Sequence, residues 1–229
     1  MDRIARRRLL AALKPFVIGI AGLSGSGKTA LARQLAPQLA EGCALVSLDS
    51  YYHPQAHLSF EDRARVNYDH PDAIDWELLA GHLTALASGQ AIDEPLYLFG
   101  QHTRSAETTR IEPRPFLMLE GILALHSAPI RELLDLKVFV STAGDECLRR
   151  RLERDIAERG RSRESVLRQY EETVWPMAQC FVLPSQEFAD LVVSGEEPLD
   201  EAVAQVLVRT QRPTGRRNGR SSTSAIRRR

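Results

Sequence analysis

The chain has 229 residues, 43% of them hydrophobic, which suits one α/β domain with a full core. Its formal net charge of +0 is unevenly spread: residues 209–229 carry eight arginines and no acid, leaving 22 basic against 30 acidic side chains elsewhere. Cys43, Cys147 and Cys180 lack C-x-x-C spacing, which argues against a disulfide framework or zinc site and for a reducing, cytoplasmic setting. No apolar run reaches the roughly 18 residues of a membrane span.

Residues 1–15 read as a basic lead-in. Arg6-Arg7-Arg8 before Leu9–Leu13 superficially resembles a signal peptide. Lys14-Pro15 interrupts the apolar run, however, and cleavage near Ala21 would cut into the loop that follows. Phe16–Ala21 reads as a buried parallel strand, Lys28–Leu39 as a helix and Ala44–Leu48 as a second strand with Asp49 at its end. Trp76–Ala87 has helical spacing of leucines. Ile92–Phe99 and Thr108–Ile111 suggest a hairpin excursion, and Phe116–Leu119 a third strand ending at Glu120-Gly121.

Leu136–Val140 is a fourth strand and Gly144–Arg159 a basic helix. Leu148, Leu152 and Ile156 form that helix's expected core stripe, with Arg151 and Arg154 on a neighbouring face. A further helix is expected from Glu164 to Gln179, a fifth strand at Leu191–Val193 and a last helix at Leu199–Val208. Residues 209–229, rich in Arg, Ser, Thr and Gly, cannot bury enough surface to offset their ordering entropy and read as a disordered tail with weak nucleic-acid affinity. The expected organisation is therefore a lead-in over 1–15, a domain over 16–208 and a tail over 209–229. Its fold class is α/β, a five-stranded parallel sheet of phosphate-loop type with helices on both faces and a small β-hairpin. Ligands in such folds sit at the carboxyl ends of the strands.

Gly22-Leu-Ser-Gly-Ser-Gly-Lys28-Thr29 satisfies G-x-x-x-x-G-K-[ST] between a strand and a helix. Backbone N–H groups from Gly22, Ser24, Gly25, Ser26 and Gly27 can point at phosphate oxygens, and the helix N-terminus adds favourable partial charge. Lys28 is expected on the β- and γ-phosphates of ATP, and the Thr29 hydroxyl on Mg²⁺. Lysine is rare here, occurring only at positions 14, 28 and 137, and the loop needs its compact charge on a flexible stem. Glu120 ends an apolar strand where an acid can organise Mg²⁺. Asp49 ends another, where a carboxylate can accept a hydroxyl proton and border the metal. As a strand-end residue alone, Asp49 reads equally well as a turn or cap aspartate.

Asp49-Ser-Tyr-Tyr52, Asn67-Tyr-Asp-His-Pro-Asp-Ala-Ile-Asp75, Glu120-Gly-Ile-Leu123 and Arg154-Asp-Ile-Ala-Glu-Arg-Gly-Arg161 resemble the uridine kinase (uridine–cytidine kinase) family, in order, from about Phe16 to Val193. The resemblance implies transfer of the ATP γ-phosphate to the 5′-hydroxyl of uridine or cytidine. It implies Asp49 as base, Tyr52, Tyr68 and Asp69 around the nucleoside with Asp69 on the ribose, and Tyr97, Phe99 and His102 on the pyrimidine. Ile122 would wall the pocket, Arg151, Arg154, Arg159 and Arg161 would form a basic helix and lid, and Gln169 would contact ligand. Relatives in the family are commonly homotetramers. Leu98 stands where the family often has Asp, and Ser194-Gly-Glu-Glu-Pro198 replaces a common Arg–Gly turn where the donor base is expected. Two rivals are a sugar-phosphate kinase such as a phosphoribulokinase, which has no base to stack on Tyr68, Tyr97 and Phe99, and a non-catalytic nucleotide-binding regulator. A GTPase is disfavoured by the absence of an N-K-x-D motif.

Overall fold

A computed structural model describes residues 14–211. Most of the lead-in over 1–15 and the tail from 212 onward therefore lie outside the described residues. Five parallel strands form one sheet: β1 (Phe16–Gly22), β2 (Cys43–Ser47), β5 (Phe116–Glu120), β6 (Leu136–Ser141) and β7 (Leu191–Ser194). Their order across the sheet is β2-β5-β1-β6-β7. β3 (Ile92–Leu98) and β4 (Thr103–Ile111) pair separately as an antiparallel hairpin.

β1 is central because both of its faces are apolar, as a strand covered on two sides requires. Val17 and Ala21 pack with Leu79, Leu83 and Leu86 of a helix on one face, and Ile18 and Ile20 with Leu31, Ala32 and Leu35 of another helix on the opposite face. These helices are α3 (Trp76–Ala87) and α1 (Lys28–Leu35). A one-turn helix α2 (Phe60–Arg63) lies between them in sequence. α4 (Ala128–Leu133) joins the first cluster through Ile130, and α7 (Leu199–Thr210) joins the second through Ala202, Val203 and Val206. Register aligns Ile20 with Glu120, and Ser47 with Glu120, so the ends of β1, β5 and β2 open at one edge.

Five local features differ from the sequence reading. The first helix ends at Leu35 and tightens to a 3-10 turn over Ala36–Gln38, because Pro37 supplies no N–H to continue it. The second hairpin strand starts at Thr103 and not Thr108, since Tyr97 pairs with Arg104 and Leu98 with Thr103 across the hairpin. On α5 (Gly144–Arg159) the stripe is rotated: Cys147, Arg151, Leu152 and Asp155 are buried, while Ile156 is 42% exposed. A carboxylate held by arginines fills the position where an apolar residue was expected. α6 (Arg163–Gln169) continues helically to Phe188, but through two π turns over Tyr170–Val174 and Ala178–Val182. The last helix runs to Thr210, which is buried, two residues past the expected domain end.

Candidate active site

The loop between β1 and α1 owes its shape to close approach. Gly25 has φ +89, and a Cβ there would stand 2.3 Å from the Cys147 carbonyl oxygen, so only glycine lets the loop rest on the start of α5. Ser26 is fully buried, and its carbonyl accepts from Thr142 Oγ1 at 3.0 Å. The loop is thus clamped by the end of β6 and the start of α5, and Gly22, Gly25 and Gly27 all take positive φ. Lys28 is nearly buried and its Nζ lies 3.5 Å from the Leu23 carbonyl. Burial lowers its pKa from the ordinary lysine value, and the charges of Glu120 and Asp49 act the other way.

Glu120 ends β5 facing α1. Thr29 Oγ1 donates to Glu120 Oε2 at 3.0 Å, and Ser47 Oγ donates to Oε1 at 3.3 Å. Burial raises the Glu120 pKa, opposed chiefly by Lys28. Two hydroxyls and one carboxylate form a hard-oxygen set suited to Mg²⁺, which takes one or two protein ligands and completes its shell with phosphate and water. Among the described residues no cluster of three His, Cys, Asp or Glu side chains could hold a metal unaided. Gly121 follows because a Cβ there would meet Leu48 Cβ at 2.3 Å. Its absence lets the turn carrying Asp49 pack against the end of β5.

Asp49 lies in the 3-10 turn Leu48–Tyr51, half-buried, and accepts from the Tyr52 hydroxyl at 3.3 Å. Behind it the aromatics gather. Tyr52 lies 5.3 Å from Tyr68 and 5.1 Å from Tyr97 between ring centres, and Tyr97 lies 5.3 Å from Phe99. His102, at the hairpin turn, stacks on Tyr68 at 5.6 Å with planes 16° apart. Burial, followed by Arg161 and Arg63, lowers the His102 pKa and favours the neutral ring. Phe99 is 42% exposed, with the Arg159 guanidinium 4.6 Å from its ring centre.

Asp69 is buried, and burial raises its pKa against the pull of Arg151. Asp69, Ser24, Ile122, Val174, Ala178 and Val182 enclose a cavity of about 10 Å³, room for about one water. The π turns set Val174, Ala178 and Val182 against this space, as such turns often do at functional sites. Arg151 reaches from α5 to Ser24 Oγ at 2.8 Å and to Gln169 Oε1 at 2.9 Å. Arg161 donates to the same Gln169 oxygen, so Gln169 ties the lid to α6.

The sequence-derived residues thus converge at the ends of β1, β2 and β5, with the arginines above. Two partners were missed. Asp155 is fully buried among Arg151, Arg154, Arg159 and Arg161, and its i±4 spacing from Arg151 and Arg159 was the available signal. Glu94 on β3 accepts from the Ser47 N–H at 3.0 Å, for which the sequence carried no signal. Burial pushes the Glu94 pKa up to about 7. A second cavity of about 150 Å³ opens beside Gly27, bounded by Leu31, Arg150, Gly195, Glu197 and Leu199. It includes the Ser194–Pro198 turn where the donor base was expected.

The sequence model of the Phosphoribulokinase / Uridine kinase family matches residues 17–198. A uridine kinase of Clostridium perfringens is 47% identical over 181 residues, 79% of this chain and 87% of that protein. A uridine kinase of Salmonella paratyphi B is 48% identical over 182 residues, 77% of this chain and 85% of that protein. Among solved structures, a possible uridine kinase from Bacillus stearothermophilus superposes with a TM-score of 0.54 at 19% identity, covering 84% of this chain and 99% of that one. The phosphoribulokinase from Rhodobacter spheroides gives 0.57 at 17% identity, covering 81% and 74%. These two structures share the fold. Among the described residues no helix is long and apolar enough to cross a membrane.

Proposed function

The chain belongs to the phosphoribulokinase / uridine kinase family, and we propose that it transfers the γ-phosphoryl group of ATP to the 5′-hydroxyl of a pyrimidine nucleoside, uridine or cytidine. The observation that carries this reading is the Tyr52–Asp49 hydrogen bond. It joins a carboxylate facing the phosphate loop to an aromatic cluster able to hold a flat base. A sugar-phosphate substrate would leave that cluster without a role.

Each residue has a role that follows from its chemistry. The loop amides of Gly22, Ser24, Gly25, Ser26 and Gly27 bind phosphate oxygens, and Lys28 follows charge onto the oxygens of the transferring group. Thr29 and Glu120 would hold Mg²⁺, with Asp49 at its border. Bound there, the ion neutralises phosphate charge and polarises the phosphorus. Asp49 accepts the 5′-hydroxyl proton and aims the oxygen in line. Asp69 takes the ribose hydroxyls. Tyr68, Tyr97, Phe99 and His102 bound the pyrimidine, Tyr52 and Ile122 close its sides, and Arg151 and Gln169 border it from above. Arg154, Arg159 and Arg161 stabilise charge on the transferring phosphoryl group and exclude water. The small cavity of about 10 Å³ between Ser24, Asp69 and Ile122 lies beside the carboxylate given to the ribose.

A panel of uridine, cytidine, adenosine, guanosine and ribulose 5-phosphate, each with ATP and Mg²⁺ and read as ADP release, tests the proposal. Turnover confined to the pyrimidine nucleosides is expected. Turnover of the sugar phosphate alone would refute it.

A further inference from the structure

Asp155 is the most enclosed ionisable group of the lid, with 0% exposure at the centre of four cations. Its Oδ1 accepts from Arg154 Nη2 at 2.9 Å and Nε at 3.0 Å, and stands 3.4 Å from Arg159 Nη1. Its Oδ2 lies 3.6 Å from Arg161 Nη1 and 3.7 Å from Arg151 Nε. The Asp155 carbonyl accepts from the N–H groups of Gly160 and Arg161, which ends α5 and starts the lid turn. One residue therefore anchors the lid through both main chain and side chain.

Three features make this more than a structural ion cluster. The first is the charge ratio: four guanidinium groups share one carboxylate, so the cluster keeps an excess of positive charge. The second is slack. Asp155 Oδ2 and Arg151 Nε are both buried without a hydrogen-bond partner, and they face each other. Buried charge in this condition is costly unless a further arrangement completes its bonds. The third is placement. Arg151 already touches Ser24 of the phosphate loop, and the charge of Asp49 acts on Arg159. Without a carboxylate of their own, these arginines would be drawn to Asp49 and Asp69, the two acids that the reaction needs free.

We propose that Asp155 is the positioning residue of the lid, an internal anion that holds Arg151, Arg154, Arg159 and Arg161 together and hands part of their hydrogen bonding to the phosphates of the bound nucleotide. The inference rests on reading this site as a phosphoryl-transfer centre. Asp155 touches no substrate. It acts by fixing where the guanidinium groups point and by competing weakly with the incoming anion. Weak competition is built in, because Oδ2 makes no well-formed hydrogen bond.

The two effects of Asp155 on anions and on catalysis have opposite signs, which separates positioning from mere structural support. In the full-length protein, Asp155→Asn removes the competing charge while keeping the size of the side chain. Affinity for inorganic tripolyphosphate, measured by calorimetry, is expected to rise about ten-fold, the effect of roughly one favourable charge contact. In the same preparation kcat for uridine is expected to fall at least ten-fold. Tripolyphosphate affinity that falls together with kcat, or kcat that stays at the wild-type level, would overturn the proposal.

Should that variant not fold, the wild-type protein still decides the matter. Its Arg154 Nε–H resonance, free of ligand, is expected to exchange slowly with water and to shift on addition of tripolyphosphate. Exchange as fast as in a free arginine would overturn the proposal. Tripolyphosphate binding does not depend on which acceptor is phosphorylated, so an inactive wild type on uridine would instead count against the substrate assignment.

Discussion

The Tyr52 hydroxyl donates to Asp49 Oδ1 at 3.3 Å, and the Tyr52 ring packs against Tyr68 and Tyr97. One side chain thus belongs both to the aromatic pocket and to the proposed base. The bond occupies one carboxylate oxygen and leaves the other for an acceptor hydroxyl. Tyr52→Phe keeps the ring and removes the donor. A hydrogen bond to a charged group contributes about 1.5–3 kcal/mol, so kcat is expected to fall about ten-fold or more. The melting temperature should fall by no more than about 10 °C, the ceiling set by the same bond's contribution to stability. Steady-state kinetics with uridine check this, and an unchanged kcat would show that Tyr52 does not orient the base.

Lys28 is nearly buried against the Leu23 carbonyl and feels both Glu120 and Asp49. Lys28→Ala removes the charge that follows the γ-phosphate into the transition state. Loss of one such stabilising group costs about 10²–10³ in kcat. The fold should persist, because Lys28 projects into the ligand site and not into either apolar cluster. Turnover with Mg²⁺-ATP, together with circular dichroism, measures both halves of this expectation.

Glu94 carries a pH signature. Its folded pKa is pushed up to about 7 from an ordinary 4.5, first by burial, with the Ser47 N–H bond opposing and the Glu120 charge adding. The folded state therefore holds its proton more tightly than the unfolded chain between pH 4.5 and 7. Stability is fully present below pH 4.5 and is lost as pH rises through 7. At about 1.4 kcal/mol per pKa unit, the loss is at most about 3.5 kcal/mol, and solvent screening of this half-buried group lowers it further. Glu94→Gln should remove most of this slope, raising the melting temperature relative to wild type at pH 8 but not at pH 4.5. Thermal melts without Mg²⁺ or nucleotide, taken across that range, would show identical pH slopes for the two proteins if the assignment were wrong.

Much of this site can be read in the sequence because its parts sit at strand ends. Gly22–Thr29, Asp49 and Glu120 each follow an apolar run, and parallel pairing brings such ends to one edge. What could not be read depends on tertiary approach. Glu94 meets Ser47 only because the hairpin folds over the end of β2, a pairing between residues 47 positions apart. The α5 stripe failed for a related reason. Leucine spacing argued for Leu148, Leu152 and Ile156, but the helix turns Arg151 and Asp155 inward toward the phosphate loop. Hydrophobic periodicity cannot register a buried ion cluster, because its residues count as polar. The π turns also lie beyond periodicity, which assumes 3.6 residues per turn.

His102 stacks on Tyr68 with its planes 16° apart, and its pKa is lowered by burial and by Arg161 and Arg63. A neutral imidazole in this place can read the pyrimidine edge through one ring N–H. His102→Ala should raise KM for uridine by about ten-fold, the effect of one lost hydrogen bond and its stacking surface, with a smaller change in kcat. Discrimination between uridine and adenosine should narrow. A competition assay with both nucleosides measures the ratio directly, and an unchanged ratio would leave His102 as a support for the hairpin turn.

The proposed base admits a test with internal controls on neighbouring carboxylates. Asp49→Asn preserves size but removes the proton acceptor and one negative charge facing Lys28. General-base catalysis contributes about 10²–10⁴-fold, so kcat should fall by at least the lower figure while ATP binding changes far less. A loss concentrated in kcat is the mark of an interaction made only in the transition state. Asp75 makes a different prediction. It caps α3 by accepting from Leu78 N at 3.1 Å and pairs with Arg104 at 3.2 Å. Asparagine caps as well as aspartate, so Asp75→Asn loses only the charge toward Arg104. Since Arg104 also holds the Tyr51 carbonyl at 3.0 Å, the loss should appear as about 1 kcal/mol of stability and not in the chemical step. The Asp72 side chain is 91% exposed beside His70, and Asp72→Asn should be silent. A normal kcat for Asp49→Asn beside a hundred-fold loss for Asp75→Asn would move the base to the other carboxylate. Arg104 would then be the group that tunes it.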